Sequence, residues 1–386
     1  RPRGPAVRSR AFRLQGVADM ADGERRRRAR GGGEDERRER SEEEAPAPGW
    51  LPRLPRLGTA GKAAAGLTAA AFAAYGVYLM GASRARRRPV TELDNALGIR
   101  LEYEPWGEVH YAYYVREGKG RPLVFLHAVN ATASAHEMRP LVRAFQRERD
   151  RPLFALEWVG FGHSDRPEVP YEPGLMEDQL EHFLERVVRP AGGADLVALS
   201  LGATYAAEVA RRRPDLVRSL VAIEPAGLGG DPGAIGRGWA RLLFTVPGVQ
   251  RAFYDRLTTP EALYEFARDH LFTAEFGVPE EYLEYGSETA RVEGAQRPLD
   301  DFLSGRMFPD EALETFRRLR QPVLVVHGTV ESRRPGGSTR LSELEARPNV
   351  TVVGLPTGAL PHWERAVETV ERIRDFYESL EAKETP

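Results

Sequence analysis

The chain has no cysteine. That excludes disulfide frameworks, thiolate metal sites and cysteine nucleophiles. It is almost without lysine: Lys62, Lys119 and Lys383 are the only ones, so nearly every cation is an arginine. We read this as a bias of GC-rich coding more than as thermal adaptation. It also lacks an excess of either charge. A net charge of -2 over 386 residues gives no global field that would draw in nucleic acid or an acidic partner. Long uncharged runs are missing as well, with one exception, Ala63 to Ala82.

That exception divides the chain. Residues 1–58 read as a disordered charged region. Arg25-Arg26-Arg27-Arg28, Gly31-Gly32-Gly33 and Glu42-Glu43-Glu44 precede Ala45-Pro46-Ala47-Pro48, with no apolar periodicity to offset the entropy of ordering. Met20 is a candidate start, residues 1–19 then being translated upstream sequence. Residues 59–90 hold the uncharged run, about the ~20 residues needed to span a bilayer. Tyr75 and Tyr78 lie toward one end, and Ser83-Arg84-Ala85-Arg86-Arg87-Arg88 follows directly. A single membrane anchor with the C-terminal side in the cytoplasm is the expectation from that basic flank. An alanine-rich linker, leaving the chain cytoplasmic, is the alternative.

From residue 91 onward the pattern changes to α/β. Ile99-Arg100-Leu101-Glu102-Tyr103 alternates and Val109 to Val115 is rich in β-formers, which predicts a hairpin. Six short apolar runs follow: Pro122 to Leu126, Pro152 to Leu156, Leu196 to Leu199, Leu220 to Ile223, Pro322 to Val326 and Val350 to Val353. Continuous apolar strands separated by helical patterns predict a doubly wound, mostly parallel sheet buried on both faces. Residues 227–315 interrupt the alternation with apolar residues at helical spacing, including Leu242, Leu243, Val246, Leu263, Tyr264, Phe266 and Leu271, and predict an inserted helical lid.

Asp195-Leu196-Val197-Ala198-Leu199-Ser200-Leu201-Gly202 ends an apolar run on a serine flanked two places away by small residues, with a helical run directly after it. This is the composition of a nucleophile elbow, where strand and helix meet so closely that the flanking positions must be small. The alternative for Ser200 is an ordinary helix cap. Three further motifs occur at the ends of predicted strands. They are Leu126-His127-Ala128-Val129-Asn130, the glycine turn Gly160-Phe161-Gly162-His163-Ser164-Asp165-Arg166-Pro167, and the pair His327-Gly328-Thr329-Val330-Glu331 with Leu360-Pro361-His362-Trp363-Glu364. In this order they resemble the lid-bearing members of the α/β-hydrolase superfamily over residues 99–380.

That resemblance implies a serine hydrolase needing neither cofactor nor metal. A serine hydroxyl requires an adjacent base, and the base a third group to fix its tautomer. The family's chain order of serine, acid and histidine matches Ser200, Glu331 and His362, with Glu224 at the end of the preceding strand as the alternative acid. The oxyanion hole is expected from the amides of Leu201 and Val129. Ala128 departs from the family's usual glycine there, which makes Asn130 a further contributor to weigh.

The aromatic residues of the lid, such as Phe253, Tyr254, Phe272 and Tyr282, suit an apolar acyl substrate. The expected reaction is cleavage of an ester, thioester or similar acyl bond of a small molecule. A C–C bond hydrolase, a cofactor-free haloperoxidase and an acyltransferase share the same signature. Haloalkane dehalogenation is disfavoured, because it uses a carboxylate where Ser200 stands. The rival from another class is a non-catalytic, membrane-tethered binding protein.

Overall fold

The computed structural model describes residues 90–147, 151–190, 192–228, 249–330 and 341–384. The charged N-terminal region, the uncharged run with its basic flank, Leu242, Leu243, Val246 and Glu331 lie outside the described residues.

Each apolar run forms a strand. β1 (Arg100–Trp106) and β2 (Val109–Arg116) are followed by β3 (Leu123–Leu126), β4 (Leu153–Leu156), β5 (Ala194–Leu199), β6 (Val217–Ile223), β7 (Val323–Gly328) and β8 (Val350–Leu355). They make one eight-stranded sheet in the order β1-β2-β4-β3-β5-β6-β7-β8. β2 runs antiparallel to β4, and from β4 to β8 every pairing is parallel. All residues of β3 and β5 are buried. That is the expected consequence of covering a parallel sheet on both faces.

Two strands begin earlier than their apolar runs. β5 starts at Ala194 and β6 at Val217, because the charged and polar residues in these first turns are satisfied inside the fold. Asp195 is buried yet pairs with Arg151 and Arg218 and accepts a hydrogen bond from Ser219 Oγ at 2.5 Å. A buried carboxylate held by two guanidinium groups can take a strand position that hydropathy alone marks as a boundary.

The helices that cover the sheet are α1 (Arg139–Phe145), α2 (Pro173–Phe183), α3 (Leu201–Arg212) and the long C-terminal α11 (Ala366–Glu384). On α11, Val370, Ile373, Tyr377 and Leu380 recur at three- and four-residue intervals and are buried, so one stripe faces the sheet. Between β6 and β7 lies a run of helices: α4 (Val249–Leu257), α5 (Pro260–His270), α6 (Glu280–Thr289), α7 (Arg297–Leu303) and α8 (Ala312–Arg318). Thr259 caps α5, its Oγ1 accepting from the Ala262 amide at 3.1 Å, with Pro260 at the first helical position. Two short helices complete the chain, α9 (Leu341–Glu345) and α10 (Pro361–Glu364).

The inserted helices are fastened to the sheet domain by polar contacts. Tyr285 Oη donates to Asp94 O at 2.9 Å, and Ala359 N donates to Leu271 O at 2.9 Å. Glu364 accepts from Thr273 N at 3.1 Å, from Thr273 Oγ1 at 2.5 Å and from Gly358 N at 2.8 Å. Among the described residues no helix is long and apolar enough to cross a membrane.

Candidate active site

Ser200 stands between β5 and α3 with φ 55° and ψ -123°, one of three described non-glycine residues with positive φ. Such a conformation costs of order 1–3 kcal/mol and persists only where the surroundings impose it. Here the turn is tied on both sides. Ser200 N donates to Ile223 O at 2.9 Å, and Ala226 N donates to Ser200 O at 3.3 Å. Gly202 is forced by proximity: a Cβ there would lie 2.4 Å from His127 O. The β3 loop, at His127, therefore touches the start of α3 at Gly202. Leu201 is the first residue of α3, so its amide has no intrahelical acceptor. The Val129 amide makes no hydrogen bond among the described residues.

The β3 loop rests on a buried polar network. His127 is fully buried, its Nδ1 is 2.6 Å from Ala128 O, and its Nε2 accepts from Trp158 N at 3.2 Å. Glu157 Oε2 accepts from Ala135 N at 2.9 Å, and the Glu157 carbonyl accepts from Ser164 Oγ and from Gln179 Nε2. Glu137 lies in a short 3-10 turn, Ala135–Met138, and its carboxylate accepts from Ala128 N at 2.9 Å and from Asn130 Nδ2 at 2.8 Å. Burial holds the Glu137 carboxyl above the usual carboxylate range. Ala128 keeps a negative φ, so its methyl group imposes no strain on the loop. Asn130 has its amide on Glu137 and its Oδ1 on Thr132, which removes its side chain from the oxyanion position.

The remaining predicted residues are placed differently from the serine. Glu224 has φ 46° at the end of β6, and its Oε1 accepts from Gly328 N at 2.5 Å. It therefore reaches across to the end of β7. His362 is completely buried on α10. Its Nε2 donates to the main-chain carbonyl of Glu137 at 2.9 Å, and Trp363 Nε1 donates to the same oxygen at 2.8 Å. Burial pushes the His362 pKa down to about 4, so the ring is neutral near pH 7. Its Nδ1 has no partner among the described residues. The expected bond between His362 and Ser200 is thus not formed in this geometry; the ring nitrogen that would serve the serine is spent on a backbone oxygen.

No other histidine replaces it. All eight are described, and none is hydrogen-bonded to Ser200 Oγ among the described residues. His136 stacks on Tyr285 at 4.5 Å, His163 Nε2 faces Asp94 O, His182 faces Tyr111 Oη and His327 Nδ1 faces Gly328 O. The loop Pro356 to Leu360, between β8 and α10, carries no ionisable side chain.

The sequence pointed to the sharp turn at Ser200 and to the glycine turn at Gly160 and Gly162. It missed Glu157, which directly follows β4, and Glu137, which lies in a short turn eleven residues after the end of β3 with no motif around it.

A model of the alpha/beta hydrolase family matches residues 123–372, well over half of the chain. The chain belongs to this family. Among curated proteins it is similar to the 2-(acetamidomethylene)succinate hydrolase of Mesorhizobium japonicum, 28% identical over 284 residues that cover 69% of this chain and 91% of that protein. Among solved structures it is similar to a serine hydrolase involved in carbazole degradation, with TM-score 0.57, 19% identity and coverage of 72% and 98% of the two chains. It is also similar to an enol-lactonase from Burkholderia xenovorans, with TM-score 0.55, 18% identity and coverage of 72% and 100%. At these identities the structural likenesses speak for the fold. The family membership and the hydrolase relative agree with a small-molecule hydrolase scaffold. They leave the individual site residues and the scissile bond to the geometry.

Proposed function

We propose that this chain cleaves an acyl bond of a small, largely apolar molecule, with Ser200 as the nucleophile, its hydroxyl proton passing to water as the oxygen attacks the acyl carbon, and with the Leu201 and Val129 amides as the oxyanion hole. The observation that carries this reading is the strained Ser200 turn. Positive φ on a serine, in a turn tied by backbone bonds to Ile223 and Ala226 and followed by a glycine pressed against the β3 loop, has no packing benefit of its own. Such a turn is the conformation a nucleophile elbow requires, and the Leu201 amide that follows it is free of an intrahelical acceptor, which supports its use as an oxyanion donor. The curated relative is named as a hydrolase, which supports hydrolysis of a small molecule.

A second reading, a binding protein that keeps the elbow without turnover, is favoured by one observation: no histidine is bonded to Ser200 among the described residues. The two readings differ in rate. An oxyanion hole and substrate binding without a complete triad still leave about 10³–10⁴-fold acceleration over water. Fluorophosphonate labelling and p-nitrophenyl esters of graded chain length test this. We expect Ser200-dependent labelling and ester turnover that Ser200→Ala abolishes. Absence of both in the wild type, or equal labelling of the Ala variant, selects the binding protein.

A further inference from the structure

We infer that Glu137 is the positioning residue of the oxyanion loop, and that His362 is the strut that holds Glu137 and not the proton acceptor of the serine. The inference rests on the reading of Ser200 as the nucleophile and deepens it.

The geometry is a clamp. The Glu137 carboxylate accepts from the Ala128 amide through Oε2 and from the Asn130 side chain through Oε1. These partners stand on either side of Val129. Fixing both neighbours fixes the peptide between them, and the Val129 amide is the one left without an acceptor. The carboxylate also consumes the Ala128 amide, so the loop offers a single donor at the site. A buried carboxylate accepting two hydrogen bonds is a rigid fixture, because any displacement strands a charged or polar group away from water.

The clamp is anchored from the opposite end of the chain. The Glu137 carbonyl receives two N–H donors, His362 Nε2 and Trp363 Nε1, both from α10. Glu137 thus joins the turn after β3 to the turn after β8. His362 performs this task as a neutral ring protonated at Nε2. A base for Ser200 would need that nitrogen unprotonated and facing the hydroxyl. The two tasks exclude each other.

Four substitutions in the full chain separate the roles: Glu137→Gln, Glu137→Leu, His362→Gln and His362→Leu. A glutamine at 362 presents an N–H donor at a reach close to that of Nε2 but cannot take up a proton from serine. The measurements are the rate of Ser200 labelling by a fluorophosphonate, kcat and KM for p-nitrophenyl butyrate, and amide hydrogen exchange of the peptide spanning residues 126–132. We expect His362→Gln to retain the wild-type labelling rate and kcat, while His362→Leu lowers both. We expect Glu137→Leu to lower kcat by about 10²–10³ at unchanged KM, the effect of a lost oxyanion donor, with faster exchange in 126–132. Glu137→Gln keeps one acceptor oxygen and is expected to fall between Glu137→Leu and the wild type. A merely structural role for Glu137 would lower thermal stability without this split between kcat and KM.

Loss of activity in His362→Gln equal to that in Ser200→Ala would make His362 the base and overturn the inference. So would wild-type kcat in Glu137→Leu. If the wild type itself neither labels nor turns over ester, the reading of Ser200 fails, and amide exchange alone decides the clamp. Faster exchange in Glu137→Leu with unchanged exchange in His362→Gln supports it, and unchanged exchange in Glu137→Leu overturns it.

Discussion

The consequences of burying His362 can be read at the level of a single proton. Its pKa is pushed down to about 4 by burial, against an opposing contribution from the Glu137 carbonyl. In the unfolded chain the same ring titrates near 6.5. Between these values the unfolded state binds the proton and the folded state does not, so stability falls as pH falls through this window. The slope from this one group is about 1.4 kcal/mol per pH unit. His136, whose pKa is lowered to about 3 by burial and by Arg139 and Arg143, adds a slope of the same sign. Chemical denaturation of the wild type and of His362→Gln at several pH values between about 4 and 6.5 should show a shallower dependence in the variant by roughly that slope. Equal slopes would mean that the ring is solvated in the folded state. The residue also marks the limit of the sequence reading. Chain order placed a histidine after the last strand, and one is there. Order carries no information on which way a ring faces, and here Nε2 faces the Glu137 carbonyl, an oxygen it shares with Trp363 Nε1. Glu137 itself had no motif; its role arises only when the turns after β3 and β8 meet.

At the level of elements the sequence was far more legible, because a parallel strand buried on both faces has to be a continuous apolar run. Each of the six runs became a strand in the expected order, and residues 249–318 between β6 and β7 hold five helices. The errors fell at strand starts such as Asp195 and Ser219, where buried polar pairs mimic loop composition. Contacts between elements were not legible at all, and Glu364 is the instructive case. Its carboxylate joins Thr273, in the linker between α5 and α6, to Gly358, in the turn after β8. Three donors converge on one carboxylate, so its removal strands several polar groups. Replacing Glu364 by alanine should cost about 1–3 kcal/mol, the range for leaving buried hydrogen-bonding groups unsatisfied. Amide exchange of the peptide around 270–276 should accelerate more than that of β5 or β6, since local opening at this corner precedes global unfolding. Uniform acceleration across the sheet would show that the corner does not open independently.

The whole molecule poses a question that the α/β body does not answer. Residues 63–82 have the length of a membrane span and are followed by a cluster of arginines, but no helix among the described residues is long and apolar enough to cross a bilayer. We propose that the uncharged run anchors the chain and that the arginines keep the hydrolase domain on the cytoplasmic side. Alanine contributes little to insertion, so the argument depends on Leu67, Phe72, Val77, Leu79 and Met80 together with the interfacial tyrosines. Fractionation decides between anchor and linker. The full chain should sediment with membranes, resist carbonate extraction and dissolve in detergent, whereas a chain starting at Thr91 should remain in the supernatant. The shortened chain contains every element of the sheet and the whole candidate site, so its Ser200 labelling rate should equal that of the full chain in detergent. If both chains are soluble, the run is a linker. In that case the preference for an apolar substrate stands only on the aromatic residues of the inserted helices, and the graded ester series becomes its sole test.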